Sequence, residues 1–444
     1  MTDSIRLIEL AAITSHERAA LMRRTEADLD DLMPKVDSII AAVREEGDAA
    51  LARFAQLFDR APVEAHALKA TEADFERAQH SLAPDVKAAI DYAVENIRTF
   101  HRAQLPESMW LKEIRPGAYA GEVARPIPSV ACYVPRGKGA FPSVTMMTTI
   151  PAVVAGVPRI IVLTPPGPDG RVDDATLVAC AAAGVREVYM VGGAQAVAAA
   201  AYGTATIPRV DKIIGPGSPW VVAAKRRLSH RLDTGLPAGP SEALILADGT
   251  ANGALAGLDL LIEAEHGPDS SAYLVTDSRE VAEAAIAAIP GYWQTMGDQR
   301  VDFSRTVLSG PRGGVVLAPD LDAAIAFVND YAPEHLSILS DTPFDHLGRI
   351  DNAAEILLGH HSVLTLGNFL LGPNCVLPTG GHARTWSPLS VHDFMKRCSI
   401  GYVTGPGYAE LARHARVLAT YEGFEAHANA VSPTRDRILN GRAS

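Results

Sequence analysis

Aromatic residues make up only 6% of the 444 residues, cysteines number four, and no run approaches the roughly 18 apolar residues of a membrane span. Each shortage excludes something. Cys132, Cys180, Cys375 and Cys398 lie far apart with no Cys-x-x-Cys pair, so neither a disulfide framework nor a thiolate zinc finger is expected. Positive charge is short too: 40 Lys and Arg against 52 Asp and Glu leave a formal charge of −12. Nonspecific binding to nucleic-acid phosphates or anionic lipid needs the opposite sign, so neither partner is expected. The opening MTDSIRLIEL lacks the basic-then-apolar pattern of a secretion signal, and a reducing cytoplasm is the expected compartment.

What the chain does have is 48% hydrophobic content, spread over a length that suits more than one core at about 100–200 residues per domain. Residues 16–60 and 71–104 carry apolar positions three and four apart among many charges, which predicts amphipathic helices. Thr71 is a candidate N-cap, although Asp74 stands where a full capping box wants Glu or Gln. From Arg125 the texture changes. SVACYV, RIIVLTP, REVYMVGG and DKIIGPG alternate with helix-like runs of about ten residues, and a second series runs EALILAD, SAYLVTD, GGVVLAP and HLSILSD. Short β-branched runs that end in Gly or Pro and alternate with helices predict βαβ units and parallel sheets. Two α/β modules are expected, with a boundary near Gly235–Pro240 and a mostly helical last fifty residues. Strand-then-glycine turns suit phosphate at a helix N-terminus. Yet GPGSPW at Gly215 and GKGAFP at Gly137 both lack the third glycine of a dinucleotide fingerprint, so ordinary βα turns are the competing reading.

Four local groups could carry chemistry. In LLIEAEHGPDSS, Glu263 and His266 lie three apart near a helix end and so share a face from which both could reach one ion; Glu265 lies on another side. The competing reading is a solvated last turn. In NDYAPEHLSI, Pro333 disfavours helix at the residue before it and puts Glu334 and His335 at a loop-to-strand junction, where the two could act as a proton-transfer pair. Glu-His dipeptides are common, however. LGNFLLGPNCVLPTGG, residues 366–381, is dense in Gly and Pro around an apolar body, which fits a backbone held close to something or a buried structural loop. In YEGFEAHANAV, Glu422 and His427 are five apart and do not share a helical face.

Taken together, these groups resemble the histidinol dehydrogenase family. The matching stretches are YVP at Tyr133, VGGAQA at Val191–Ala196, KIIGPG, AGPSE at Ala238–Glu242, EAEHGPDS, APEHL, NxVLPT and EGFEAHANAV, and they cover roughly residues 125–432. The resemblance implies an α/β fold of two incomplete Rossmann-like parallel-sheet modules with helical N- and C-terminal segments, assembled as an intertwined homodimer. The implied layout is an N-terminal helical segment at 1–28 and an α/β module at 29–132 plus 241–389 with the catalytic and zinc residues. An NAD module at 133–240 and a C-terminal helical segment at 390–444 that completes the partner's site make up the rest. It further implies one zinc per subunit on Glu263, His266, Asn368 and His427, a catalytic pair in Glu334 and His335, and substrate contacts at Ser241, Asn368 and Glu422. NAD would meet Tyr133, Gln195 and Ser218. The implied reaction takes a small primary alcohol through an aldehyde to a carboxylate, consuming two NAD.

The departures from the family pattern are informative. Glu263 stands where the family has glutamine, Asn368 where it has aspartate, Cys375 where it has histidine, and Ser218 where asparagine is usual. GNFLLGPN, EAEHGPDSSAYLVT and the FxKRxSIGYVT pattern from Phe394 look like the branch that oxidises (R)-2,3-dihydroxypropane-1-sulfonate to sulfolactate. Histidinol and another small polyol or amino-alcohol are the alternative substrates, and a metal- or nucleotide-binding homologue without catalysis is the non-enzyme alternative. His382, Arg384 and Lys396 lie in the right stretch to meet a sulfonate, and the sequence does not choose among them.

Overall fold

The computed structural model describes residues 5–24, 29–136 and 139–441; Gly137 and Lys138 of the Gly-rich turn, and the ends of the 1–28 segment, lie outside them. The strands are β1 (Leu7–Glu9), β2 (Met109–Arg115), β3 (Ala118–Pro126), β4 (Ser129–Tyr133), β5 (Arg159–Thr164), β6 (Glu187–Met190) and β7 (Lys212–Ile214), followed by β8 (Glu242–Ala247), β9 (Ser271–Thr276), β10 (Gly313–Leu317), β11 (His335–Leu339), β12 (Glu355–Leu358) and β13 (Met395–Val403). The chain divides into a larger unit, residues 1–105 and 127–394, and a smaller one, 106–126 and 395–444.

The larger unit holds two parallel sheets, ordered β6-β5-β4-β7 and β1-β10-β9-β8-β11-β12. Both are wound outward from a central strand, as a Rossmann-type sheet is, with a switch point between β4 and β7 in one and between β8 and β11 in the other. Their apolar runs are continuous because helices cover both faces. On one face of the larger sheet Ile245, Leu274 and Val315 pack with Leu260, Ala285, Ile289 and Leu308. On the other, Leu244, Tyr273, Val316 and Ile338 pack with Phe327, Val328 and Tyr331. Alternate residues of one strand thus serve two cores.

The smaller unit is an antiparallel sheet ordered β13-β3-β2 with helices Gly405–Tyr421, Glu425–Ala430 and Pro433–Asn440. It leaves Met109, Trp110, Leu111 and Ile114 exposed on β2, and Val417, Leu418 and Tyr421 exposed on its long helix.

Several details differ from the sequence reading. The 1–28 segment is not purely helical, because β1 pairs with β10; three residues are too few to show a period. The 390–444 segment contains β13, whose polar, exposed sequence MKRCSIGYV hides the strand pattern. β4 carries Ser129–Cys132 into the smaller parallel sheet, ahead of the 133 boundary. Thr71 forms a complete capping box after all, since Asp74 is long enough to accept from the Thr71 backbone N–H at 2.9 Å. Among the described residues no helix is long and apolar enough to cross a membrane.

Candidate active site

The polar residues gather at the amino-terminal edge of the larger sheet, not at the carboxyl edge that such sheets favour. The helix Leu321–Tyr331 ends in Ala332, a buried non-glycine residue held at φ +51, a conformation that L side chains seldom adopt. Pro333 follows, and the chain then enters β11 through Glu334 and His335. His335 and Glu355 are direct register partners on β11 and β12, so their side chains share a face. Glu355 Oε2 lies 2.7 Å from His335 Nδ1, and Glu334 Oε1 lies 3.9 Å from His335 Nε2. The other oxygen of Glu334 accepts the Glu242 backbone N–H at 2.8 Å.

All three side chains are buried, and burial and mutual charge shift Glu334 and His335. It pushes the Glu334 carboxyl well above the usual range, the His335 charge opposing and the Glu263 and Glu242 charges adding. Burial alone would depress His335, but the bond from Glu355 and the charges of Glu334, Glu263 and Glu355 raise it to about 9. Burial, with the same three carboxylates, pushes the Cys375 thiol up and keeps it neutral.

Glu263, on the last turn of the helix Gly253–Ala264, is buried and reaches His266 Nδ1 at 3.2 Å through Oε2. Its Oε1 accepts from Asn368 Nδ2 at 3.1 Å. Asn368 sits on the helix Leu364–Phe369, and a Cβ on its neighbour Gly367 would lie 2.8 Å from Glu355 Oε1. The structure therefore brings Glu263, His266 and Asn368 together, and the same loop lies against Glu355. Among the described residues no three His, Cys, Asp or Glu side chains are arranged as a metal set. A carboxylate, an imidazole and a side-chain amide suit zinc in donor type and fall one ligand short of a tetrahedral site.

The Gly- and Pro-rich loop is held to the start of β8. Gly380 N–H donates to Glu242 Oε1 at 2.9 Å, and Gly239 N–H donates to Thr379 Oγ1 at 2.7 Å. Glu242 is buried against Arg24 in a 2.8 Å ion pair, and the Arg24 guanidinium stacks 3.3 Å from the Tyr331 ring centroid. Ser241 precedes β8 on the same edge. A cavity of about 660 Å³ lies beside β12, lined by Glu355, Asn374, Gln104 and Trp386 among others.

Tyr133, Gln195 and Ser218 lie at the carboxyl edge of the smaller parallel sheet. Tyr133 ends β4, and its hydroxyl accepts the Gly193 N–H at 3.1 Å, at the start of the helix Gly193–Tyr202 that carries buried Gln195. Ser218 is the N-cap of the helix Pro219–Leu228. Gly215 lies between: its φ is +120, and a Cβ there would meet the Tyr133 carbonyl oxygen at 2.1 Å. Two glycine-flanked helix starts at a switch point suit a dinucleotide pyrophosphate without the third glycine of the fingerprint. Burial pushes the Tyr133 phenol up to about 12, so it stays neutral.

Glu422 and His427 belong to the smaller unit and are exposed there, Glu422 capping the long helix and His427 beside the Phe424 ring. Of the candidate sulfonate partners, Lys396 lies on β13 of the smaller unit, Arg384 donates to the Asp330 carbonyl, and His382 lies near Glu242. The sequence reading missed Glu355 and Arg24. Glu355 had a signal, a single charge in the apolar strand AEILLG; Arg24, in a polar stretch before β8 by more than 200 residues, had none.

The chain matches the histidinol dehydrogenase family profile over residues 22–435. It is 63% identical to a histidinol dehydrogenase homolog of Cereibacter sphaeroides, over 97% of this chain and 98% of that one. It is 46% identical to a histidinol dehydrogenase of Synechocystis sp., over 98% and 100% respectively. The crystal structure of histidinol dehydrogenase from Elizabethkingia anophelis superposes with a TM-score of 0.91 at 30% identity, over 98% of both chains. The chain belongs to the histidinol dehydrogenase family, NAD-dependent oxidoreductases that take an alcohol to an acid.

Proposed function

We propose that the protein is a zinc-dependent enzyme that oxidises 2,3-dihydroxypropane-1-sulfonate at its primary alcohol to the carboxylate, in two NAD-linked steps. The observation that carries the chemistry is the buried Glu334–His335–Glu355 cluster beside Glu263, His266 and Asn368. Zinc, when bound, polarises the alcohol oxygen, and NAD, when bound, accepts the hydride. Glu263, His266 and Asn368 hold the metal in this reading, with His427 of a partner copy as the further ligand and Glu422 of that copy beside the substrate. The exposed apolar residues of the smaller unit support such a dimer. Tyr133, Gln195 and Ser218 hold the dinucleotide.

In its neutral form, which gains population as pH rises toward the raised value of about 9, His335 Nε2 takes the hydroxyl proton in the first step. In the second, once His335 has passed that proton to solvent, Glu334 orients the water that attacks the aldehyde carbon, and His335 again takes the proton. Ser241, beside the loop closed by Thr379 and Gly380, positions the substrate. The four cysteines are free, which suits a reducing cytoplasm.

Two features support the sulfonate over histidinol. Asn368 and Cys375 stand where the family pattern has an aspartate and a histidine, which takes negative charge away from position 368 and an imidazole away from position 375. The 63%-identical relative is named a homolog, whereas the 46%-identical one is named a histidinol dehydrogenase. The test is kcat/KM for the two alcohols with NAD, side by side. A higher value for the sulfonate supports the assignment, and a higher value for histidinol overturns it.

A further inference from the structure

The second ring nitrogen of His335 is engaged by a residue that nothing in the family resemblance assigns. Glu355 Oε2 lies 2.7 Å from Nδ1, and both side chains are about 4% exposed. The pairing follows from strand register, since β11 and β12 are parallel neighbours with His335 opposite Glu355. The far oxygen of Glu355 is buried with no hydrogen-bond partner, and the backbone at Gly367 closes over it. A buried carboxylate with one oxygen unpaired is costly. The short charge-assisted bond to the imidazole is the contact that offsets the cost. Glu334, by contrast, spends an oxygen on the β8 backbone and stands on the Nε2 side of the ring.

We propose that Glu355 is the positioning residue of the reaction: it accepts the Nδ1–H of His335, fixes the tautomer with its lone pair on Nε2, and holds the ring toward Glu334. When Nε2 takes the alcohol proton, the imidazolium keeps Nδ1–H and the carboxylate faces the new positive charge; the proton does not pass on to Glu355. Aspartate is one methylene too short to span this register from the same backbone. Glutamine can still accept through its oxygen but brings no charge, and alanine does neither. The proposal rests on His335 being the base assigned under the proposed function.

The experiment uses full-length, zinc-loaded enzyme and the variants Glu355→Gln, Glu355→Ala and His335→Gln. The first readout is the proton spectrum in water and needs no substrate. A strongly downfield ring N–H resonance is expected in the wild type and absent from His335→Gln and Glu355→Ala. The second is turnover with NAD and saturating 2,3-dihydroxypropane-1-sulfonate or histidinol. Glu355→Ala should lower kcat by about 10³–10⁴-fold, as losing the tautomer-holding carboxylate does in a catalytic triad. KM for alcohol and NAD should stay close to wild type, and Glu355→Gln should recover part of the loss. Persistence of the downfield proton in Glu355→Ala, a KM effect with kcat unchanged, or equal kcat in wild type and Glu355→Ala overturns the proposal. Should Glu355→Ala not fold, Glu355→Gln carries the same comparison: loss or weakening of the downfield proton with lowered kcat supports it, and wild-type behaviour overturns it. If the wild type oxidises neither alcohol, the substrate reading fails and the downfield proton alone decides the pairing.

Discussion

Exchanging the amide of Asn368 for a carboxylate tests whether Glu263 and Asn368 act as one site. In the structure Asn368 Nδ2 donates to Glu263 Oε1 at 3.1 Å, and Glu263 is 1% exposed. Asn368→Asp removes that donor and sets two carboxylates at the same separation. At an effective dielectric of about 20, unit charges roughly 3 Å apart repel by about 5 kcal/mol, enough that the metal-free pair takes up a proton instead. The new carboxyl then has a pKa above its unfolded value of about 3.9. For such a group the folded state binds more protons than the unfolded one between the two values, so stability falls as pH rises through that window. The slope is about 1.4 kcal/mol per pH unit, flattening once the pair is fully ionised. Thermal unfolding of chelator-treated enzyme should therefore show a gap between wild type and Asn368→Asp that is small at pH 4 and widens toward neutrality. Glu263→Gln in the same background restores one carboxylate and one amide and should close most of the gap. Zinc titrations should show the same coupling, each single change weakening binding and the double recovering it. Strictly additive effects would refute the idea that the carboxylate has moved from one position to the other.

Replacing His335 by Ala should lower turnover by about 10²–10⁴-fold with zinc content unchanged; parallel loss of metal would make it a ligand. His335, raised to about 9, stabilises the fold fully below about 6.5 and loses that contribution as pH rises through 9, and Glu334, also raised, runs the same way. Chelated enzyme should accordingly be less stable at pH 9.5 than at pH 6.5, and His335→Gln should flatten that slope. His427→Ala should lose zinc while the dimer persists by sedimentation, and heterodimers with His335→Ala should regain activity; inactive heterodimers would place both residues in one chain's site. Arg24→Leu leaves Glu242 buried without its cation and should cost about 3–5 kcal/mol in denaturant unfolding, whereas less than about 1 kcal/mol would mean the ion pair is dispensable.

Much of the fold was legible because parallel strands buried on both faces leave unbroken β-branched runs such as RIIVLT and SAYLVT, and these mark nearly every strand of the two larger sheets. β1, β2, β3, β12 and β13 were not: β1 and β12 are short, β2 and β13 face solvent, and β3 is built of small and polar residues with no β-branched run. The local halves of the site were equally visible. Glu263 and His266 share a helical turn, and Pro333 places Glu334 and His335 at a strand entry. What no local pattern shows is register across the sheet: Glu355 meets His335 only because β12 pairs with β11 in one alignment. Arg24 reaches Glu242 across more than 200 residues of chain for the same kind of reason. For the loop 366–381 the sequence left open a backbone held close to something or a buried structural loop; the structure ties it to Glu242 through the Gly380 N–H, and to Gly239 and Met147 through the Thr379 and Asn374 side chains.

A two-step oxidation to an acid on one site fixes the product stoichiometry. Zinc-loaded enzyme is given a limiting amount of 2,3-dihydroxypropane-1-sulfonate with excess NAD, and NADH is counted to completion alongside the carboxylate formed. Two NADH and one sulfolactate are expected for each alcohol consumed. One NADH with free aldehyde as the end product, or no NADH from this alcohol at all, would contradict it.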